Sequence, residues 1–445
     1  MKAKLIVSIH TLLLLLSFSL DAQKKKDAKQ LEAIFESSTV FQDIFTGFAL
    51  YDPTEQAWLY QRAADKYYTP ASNTKLFTLY TALKILGDSI PSLFYQENDT
   101  AFIFWGTGNP ALLYDLLPAD SSVLTFLKQQ DKPLYFSDHN FQEKRFGPGW
   151  SWDDVSYAYQ SERTPMPIYG NIVRFLHQKD SLGFQTIPSY FKDKVQLDQS
   201  MDNRRPRFRR AIDDNQFYCN AHALAGNRYE RAVPFRSSNA LFRQLLSDTL
   251  QRIVRDYEQD LQAFELQTFY GRVPADSIYQ LMMQASDNFV AEQLLLTASN
   301  QIFGTQNTEQ IIDYIKTYYL KDLPDEAIWV DGSGLSRYNL FTPRSIIVLL
   351  EKLYQMLPEA RLLNLFPAGG VSGTIERWYA AEQGQAPYVF AKTGTLSNKH
   401  CLSGFLKTKS GKTLIFSFMN NNYIGSSRPV KQEMEKVLQF VRDSY

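Results

Sequence analysis

Cysteine is scarce in this sequence, which has only Cys219 and Cys401 among 445 residues. A framework of disulfides, of the kind that holds small exported domains together, is therefore excluded. Whether the two cysteines pair with each other stays open, because a long segment separates them and a bridge needs Cα atoms within about 7 Å. The folded state must depend on the packing of apolar side chains.

Net charge is also absent, because 47 lysines and arginines balance 47 aspartates and glutamates. No overall field would attract the protein to nucleic acid or to an anionic membrane, and we predict neither as a partner. Hydrophobic residues make up 44% of the chain and charged residues 21%, unlike the balance of disordered proteins. We expect two or three domains, with function residing in local sites.

A long hydrophobic run occurs only at the start of the sequence. The basic stretch Met1–Lys4 precedes the mostly apolar residues Leu5–Leu20, and Ala22 offers a small residue to a signal peptidase. Polar residues interrupt this run, which falls short of the roughly 20 apolar residues that a membrane-spanning helix needs. We predict a signal peptide over residues 1–22, export to the periplasm and no stable membrane span; a retained anchor is the alternative.

The rest of the chain divides into three parts that differ in composition and hydrophobic pattern. Residues 30–90 mix predicted helices and strands, and their last helix, Lys75–Leu86, has apolar residues at spacings of three and four that predict one buried stripe. Residues 91–267 consist of short runs rich in aromatics, proline, glycine and asparagine, which predict a β-rich insertion. Residues 268–445 return to long helical patterns. We predict one α/β domain built from both chain ends and interrupted by the insertion.

Several individual elements are also predicted. A turn at Asp52–Glu55 separates two strand patterns and predicts a hairpin. The predicted elements are a helix at Gln30–Ser37, strands at Ile44–Tyr51, Trp58–Tyr60 and Gly411–Phe418, and helical stretches at Asp276–Ala298 and Val430–Tyr445.

The first chemical motif places Ser72 three residues before Lys75 at the start of a predicted helix. Residues at this spacing share a helix face, so the Lys75 amine could take the proton of the Ser72 hydroxyl once burial lowers the pKa of the amine. The helix N-terminus would favour an oxyanion there. The spacing alone is weak, because Ser189 and Lys192 repeat it without an apolar helical stripe.

The second motif is Ser286, Asp287 and Asn288. Ser286 would relay a proton, and Asn288 would hold Lys75 and an amide of the substrate. The segment Ser237–Asn239 has a similar pattern, and any single match is more often a turn or a helix cap. We favour Ser286 because an apolar helical run follows it.

The third motif, Lys392–Thr395, follows residues of β-strand character. A strand edge can pair with a peptide substrate. Lys392 and Thr393 would bind its terminal carboxylate, and Gly394 would allow close approach of the backbone. The N–H group of Thr395 would join that of Ser72 in an oxyanion hole.

Taken in order, these motifs resemble the Ser-x-x-Lys, Ser-Asp-Asn and Lys-Thr-Gly set of β-lactamases and penicillin-binding proteins. The long segment between the first two makes the chain similar to the class C low-molecular-mass penicillin-binding proteins, the D-alanyl-D-alanine carboxypeptidase/endopeptidase family, which carries an inserted domain there. Other stretches resemble the same family: Phe104–Pro110, Gly147–Asp154 and Asp331–Arg337. The resemblance implies a penicillin-binding transpeptidase-like fold, an antiparallel sheet flanked by helices.

The resemblance also implies a serine-type D-alanyl-D-alanine carboxypeptidase that forms an acyl-enzyme at Ser72. Its substrates would be peptidoglycan stem peptides ending in D-Ala-D-Ala, and β-lactams would be covalent inhibitors. The catalytic residues would be Ser72, Lys75 and Ser286, with substrate bound by Asn288, Lys392, Thr393, Gly394 and Thr395. No metal or other cofactor is predicted, because the five histidines show no ligand spacing.

Three alternatives remain open: a β-lactamase, a related esterase, and a wall-binding or β-lactam-sensing protein without turnover. Cleavage of crosslinks, the preferred diamino acid and the oligomeric state also stay open. The insertion departs from the family pattern in the basic run Arg204–Arg210. We interpret this run as a solvated, flexible loop, with a contact for anionic wall polymer as the alternative.

Overall fold

The computed structural model describes residues 25–178, 183–224, 228–259 and 266–445. The predicted signal peptide, residues 1–22, lies outside these described residues. Among the helices that are described, none combines the length and apolar character needed to cross a bilayer.

Helices and strands occur along the whole described chain. The helices are α1 (residues 25–37), α2 (Thr39–Gln42), α3 (Lys75–Ile85), α4 (Ser122–Lys128), α5 (Asn239–Leu250), α6 (Ala275–Gln284), α7 (Asn288–Phe303), α8 (Thr308–Tyr319), α9 (Pro343–Met356), α10 (Glu359–Leu365) and α11 (Arg428–Ser444). The strands are β1 (Phe45–Asp52), β2 (Ala57–Arg62), β3 (Pro91–Glu97), β4 (Phe102–Gly106), β5 (Leu134–Ser137), β6 (Ile172–His177), β7 (Gln185–Ile187), β8 (Val195–Leu197), β9 (Phe208–Arg210), β10 (Phe217–Cys219), β11 (Tyr229–Pro234), β12 (Val254–Asp256), β13 (Gln267–Tyr270), β14 (Val389–Leu396), β15 (Lys399–Lys407) and β16 (Thr413–Asn421).

The first of two compact units, the terminal unit, comprises Met1–Asn73, Leu323–Ile328 and Leu340–Tyr445. Its five-stranded sheet has the order β14-β15-β16-β1-β2, with every neighbouring pair antiparallel. Strand β1 lies between β16 and β2, so segments from both chain ends form one sheet. Helix α9 packs against β1 and β16, and α11 packs against β15. The antiparallel sheet flanked by helices is confirmed.

The core of the terminal unit contains one face of α11. Its apolar residues repeat at three and four, as a helix with one buried face requires. The buried side chains are Val430, Met434, Val437, Leu438 and Val441, which join sheet residues such as Phe48, Leu402 and Phe418 in one cluster.

The second unit, the central unit, comprises Thr74–Asp322 and Trp329–Asn339. It contains a mixed five-stranded sheet, β12-β5-β4-β3-β13, and two three-stranded sheets, β8-β10-β9 and β11-β6-β7. The aromatic residues that mark this part of the sequence are its core: Phe102, Phe104, Phe136, Phe175, Phe191 and Phe217 are all buried. Large rings fill the space between these small sheets.

Two helical predictions need correction. The single stripe predicted for α3 is wrong, because residues Lys75–Leu83 are all buried. Its polar residues bond to backbone carbonyls, as when the Thr78 hydroxyl donates to Gly332 O at 2.6 Å. The helical stretch predicted over 276–298 is divided into α6 and α7, and between them Ser286 has a left-handed backbone with φ of 58°.

The basic run is not an isolated loop, since its last residues form β9. Three of its arginines pair with acidic neighbours: Arg204 and Arg207 with Asp202, and Arg209 with Asp198. Arg210 is buried, and its Nε donates to Pro234 O at 2.9 Å. These contacts leave less free positive charge than the sequence indicates.

Candidate active site

Ser72 lies in a short 3-10 helix, Ala71–Thr74, that continues directly into α3. Ala71 has a left-handed backbone with φ of 48°, and the Asn73 N–H donates to Pro70 O at 3.1 Å. Ser72 is half-buried, whereas the residues on both sides of it are buried. The tight turn therefore leaves Ser72 partly exposed at the start of the helix.

Lys75, three residues later, is completely buried. Its Nζ donates to Asn288 Oδ1 at 2.6 Å and to Ser333 O at 2.7 Å. Burial lowers the pKa of Lys75 to about 8, although the charges of Asp331, Asp287 and Glu292 act in the opposite direction. The amine can thus be neutral at a pH where an exposed lysine is charged.

The second motif occupies the break between α6 and α7. Asp287 caps α7, since its carboxylate accepts from Val290 N at 2.9 Å, and it also accepts from the Tyr114 hydroxyl at 2.6 Å. Asn288 uses both ends of its amide, because its Nδ2 donates to Tyr159 O at 2.9 Å while its Oδ1 accepts from Lys75. Ser286, in its left-handed conformation, is partly exposed beside them.

The competing matches have ordinary structural roles. Ser189 and Lys192 are both exposed in a short 3-10 helix. Ser238 caps α5, with its hydroxyl accepting from Leu241 N at 3.1 Å.

The loop at Asp331–Arg337 also contacts Lys75. Asp331 organises this loop: its carboxylate accepts from Gly334 N at 2.9 Å and from Ser336 N at 2.7 Å. Ser333 N donates to Glu292 Oε1 at 2.7 Å, which leaves the Ser333 carbonyl for Lys75. Sequence reasoning missed Glu292; the available signal was its position four residues after Asn288, on the same helix face.

The third motif lies on β14. Lys392 is completely buried, and its Nζ donates to Thr393 O at 2.8 Å. Thr393 donates from its hydroxyl to Thr374 Oγ1 at 2.7 Å. Thr395 is exposed, with Oγ1 at 2.9 Å from His400 Nδ1. Burial lowers the pKa of His400 to about 3, so this histidine packs as a neutral ring.

Gly394 brings the third motif against the segment before Ser72. A Cβ at Gly394 would stand 2.2 Å from Pro70 O and 3.0 Å from Asn73 N, so only glycine fits without a shift of the backbone. The Asn73 amide also donates to Lys392 O at 2.8 Å. The terminal unit therefore holds the segment of Ser72 and the third motif together.

Two further groups of residues concern metals and redox chemistry. Across the described ranges, no group of three or more histidine, cysteine, aspartate or glutamate side chains could hold a metal ion. Cys219 and Cys401 are both free and buried.

The sequence of the chain has relatives over most of its length. It is 24% identical over 415 residues to the D-alanyl-D-alanine carboxypeptidase DacB of Haemophilus influenzae, covering 84% of this chain and 85% of the relative. It is also 24% identical over 449 residues to a D-alanyl-D-alanine carboxypeptidase of Actinomadura sp. strain R39, covering 89% of this chain and 81% of the relative.

The fold is similar to that of penicillin binding protein 4 (dacB) from Haemophilus influenzae. One crystal structure aligns with a TM-score of 0.73 at 20% identity, over 91% of this chain and 98% of the other. A second, in complex with a β-lactam, aligns with a TM-score of 0.66 at 18% identity and the same coverage. The family model for D-Ala-D-Ala carboxypeptidase 3 matches residues 28–443. The chain belongs to the D-Ala-D-Ala carboxypeptidase 3 (S13) family.

Proposed function

We propose that this protein is a serine-type D-alanyl-D-alanine carboxypeptidase of peptidoglycan stem peptides, with Ser72 as nucleophile and Lys75 as its base. The observation that carries the assignment is the setting of Lys75, which is fully buried and held by Asn288 Oδ1 and Ser333 O. A lysine with a pKa near 8 can accept a proton at moderately alkaline pH. Family membership supports the same chemistry.

Acylation follows from the helical spacing of the first motif. Lys75 Nζ takes the proton of the Ser72 hydroxyl as Oγ bonds to the penultimate D-Ala carbonyl carbon. The N–H groups of Ser72 and Thr395 stabilise the oxyanion, each contributing about 3 kcal/mol to lowering the barrier. The C–N bond then breaks, and the departing D-Ala amine receives a proton through Ser286.

Deacylation returns the enzyme to its starting state. A water molecule bonds to the acyl carbon, its proton passes to the Lys75–Ser286 pair, and the bond to Ser72 Oγ breaks. Oγ recovers that proton from Lys75, and the shortened peptide leaves as a carboxylic acid, which loses its remaining proton to water. The two steps together consume one water per peptide bond.

Recognition of the D-Ala carboxylate falls to Lys392 and Thr393. A buried ammonium on a strand places positive charge in a defined position, and the Thr393 hydroxyl is directed by Thr374. A β-lactam presents a carboxylate close to its reactive amide, so the same residues would orient it for acylation of Ser72. We accordingly infer that β-lactams are covalent inhibitors, and that the protein acts after export, in the periplasm where peptidoglycan lies.

The first experiment follows labelling by a fluorescent penicillin and release of D-Ala from defined muropeptides. We expect stable labelling and D-Ala release from the wild type, and neither from Ser72→Ala. Rapid loss of the label would indicate a β-lactamase, and labelling without D-Ala release would indicate a sensor. An adduct on Ser189 would contradict the choice of nucleophile. Crosslinked muropeptides in the same assay test for endopeptidase activity.

The second experiment tests the reading of the carboxylate. Lys392→Ala should lower kcat/KM for a substrate with a free terminal carboxylate, by a factor that corresponds to a loss of about 2 to 5 kcal/mol of transition-state stabilisation, since a charge contact is lost. An activated ester without that carboxylate should be affected far less. Thr393→Val should act more weakly in the same direction. Equal losses for both substrates would show that Lys392 shapes the site without reading the carboxylate.

A further inference from the structure

A buried charged network lies behind Lys75 in the central unit, formed by residues that no motif contains. Glu292 on α7 is 1% exposed and Arg163 is 2% exposed. Glu292 Oε2 is 3.7 Å from Arg163 Nη1. Burying two charges costs desolvation free energy that their mutual attraction only partly offsets, so stability alone does not explain this ion pair.

Each carboxylate oxygen of Glu292 faces a different neighbour. Oε1 accepts from Ser333 N at 2.7 Å, and the carbonyl of the same residue accepts from Lys75 Nζ at 2.7 Å. Glu292 therefore holds the backbone of Ser333, and the carbonyl of that same residue accepts from Lys75. Asn288, one turn earlier on α7, supplies the other acceptor.

Arg163 has its own supports. Its Nη1 donates to Thr308 Oγ1 at 3.0 Å and pairs with Glu143 at 3.3 Å. Its guanidinium stands 5.5 Å from the centre of the Trp150 ring, and Trp150 Nε1 donates to Asp331 Oδ2 at 2.9 Å. The guanidinium is thus held in place from several sides and can keep the Glu292 carboxylate in position.

We propose that Glu292, held by Arg163, is a positioning residue for Lys75: it anchors the Ser333 amide so that the Ser333 carbonyl meets the ammonium, and its carboxylate also faces that ammonium. This inference rests on the proposed function, because it takes Lys75 to be the base. Glu292 acts through Ser333 and touches no substrate.

The charges facing this network come from several elements. Asp287 at the start of α7, Asp331 in the loop and Glu292 all face Lys75 of α3. Tyr114 donates to Asp287, while Glu143 faces Arg163. Burial, together with the Asp331 charge, raises the pKa of Glu292, and the Arg163 charge lowers it. Removing the negative charge of Glu292 lowers the pKa of Lys75, because a negative neighbour favours the charged amine.

Glu292→Gln separates the two roles, because an amide oxygen can still accept from Ser333 N while the charge is gone. The rate of acylation by a fluorescent penicillin should be measured against pH. At high pH its plateau should stay within about threefold of the wild type, and the midpoint of its acidic limb should lie about one pH unit lower. Glu292→Ala also loses the acceptor, so its plateau should fall about 10- to 100-fold. A residue that only supports the fold would not shift the limb.

Two further variants keep the test decisive. Glu162→Gln is the matched control: Glu162 is equally buried in the same unit and pairs with Arg145 and Arg210, so its limb should stay at the wild-type pH. If Glu292→Gln alone does not fold, the double variant Arg163→Met with Glu292→Gln removes both charges together and should show a smaller shift in the same downward direction, because losing the Arg163 cation offsets part of the effect.

The outcomes distinguish a failure of the proposed function from a failure of the positioning role of Glu292. If Lys75→Ala acylated like the wild type, the proposed function would be overturned, whatever Glu292 does. If Lys75 is required but neither charge-removing variant moves the acidic limb, the positioning role of Glu292 is wrong and the proposed function stands.

Discussion

Lys75 is a residue whose surroundings determine what it can do. It has no exposed surface, two oxygen atoms accept its protons, and three carboxylates face it. Burial favours the neutral amine and the carboxylates favour the charged one, and burial is the larger effect. A lysine on the surface, such as Lys192, has none of these constraints.

The pH dependence of acylation follows from this setting. Because the pKa of Lys75 is about 8, the amine is protonated and inactive below that pH and neutral above it. The rate of labelling by a fluorescent penicillin should therefore rise with pH through about 8 and then level off. A limb near 10.5, the ordinary value for lysine, would contradict the effect of burial.

Gly394 allows close contact between β14 and the segment before Ser72. In Gly394→Ala the new methyl group would stand 2.2 Å from Pro70 O, so β14 must move relative to the segment before Ser72. We expect a loss of about 1 to 3 kcal/mol in stability and a marked fall in acylation of the folded protein.

The matched control for this substitution is Gly369→Ala, whose methyl group would stand 2.4 Å from Tyr379 O. It should cost a similar stability, measured by thermal unfolding, with a smaller effect on acylation. Equal acylation by Gly394→Ala and the wild type would show that the contact with Pro70 is unimportant for the reaction.

The break between α6 and α7 places the second motif at the start of a helix. The Asp287 cap satisfies Val290 N, and the helix then carries Asn288 and Glu292 on one face. Burial raises the pKa of the Asp287 carboxyl, against the effect of its hydrogen bonds. This arrangement makes the position of Asn288 depend on how α7 begins.

Asp287→Ala should therefore lower the free energy of unfolding by about 1 kcal/mol and slow acylation. Asp287→Asn should recover most of the stability, because asparagine caps equally well. Asn307→Ala is the control, since Asn307 caps α8 by accepting from Gln310 N at 3.0 Å and touches none of the predicted site residues. It should lose stability without slowing acylation, as judged by urea unfolding and penicillin labelling.

Elements with a strong and regular pattern could be predicted from the sequence. The hairpin of β1 and β2, strand β16 and helix α11 lie within a few residues of their predicted bounds. The break at Ser286 was missed because the apolar pattern continues across it, although a serine and an aspartate before a helical run are themselves a cap signal. The burial of α3 on all sides was missed because threonines look polar until their partners are known.

The candidate site could likewise be predicted only in part. Its three motifs could be found because each is a short stretch of sequence with its own chemistry. The contacts of Ser333 with Glu292 and with Lys75 could not be predicted, because which carbonyl faces an amine depends on residues distant in the sequence. Such contacts come from packing, and no local pattern encodes them.

Each of the two compact units contains one cysteine. Cys401 lies in the terminal unit and Cys219 in the central unit, and both are buried and free. Burial raises the pKa of both thiols, that of Cys401 to about 12. We expect the native protein to resist a thiol reagent and to melt at the same temperature with or without a reductant. Labelling of the native protein at the rate of an exposed thiol would contradict this burial.

The placement of these thiols has a practical consequence. Cys219→Ser and Cys401→Ser variants each retain a single thiol, and that thiol becomes reactive only when its own unit opens. Timed alkylation in increasing urea would then act as two separate clocks, one for each unit, without any dye or engineered label. The difference between the two clocks would show directly whether the protein unfolds in one event or in two.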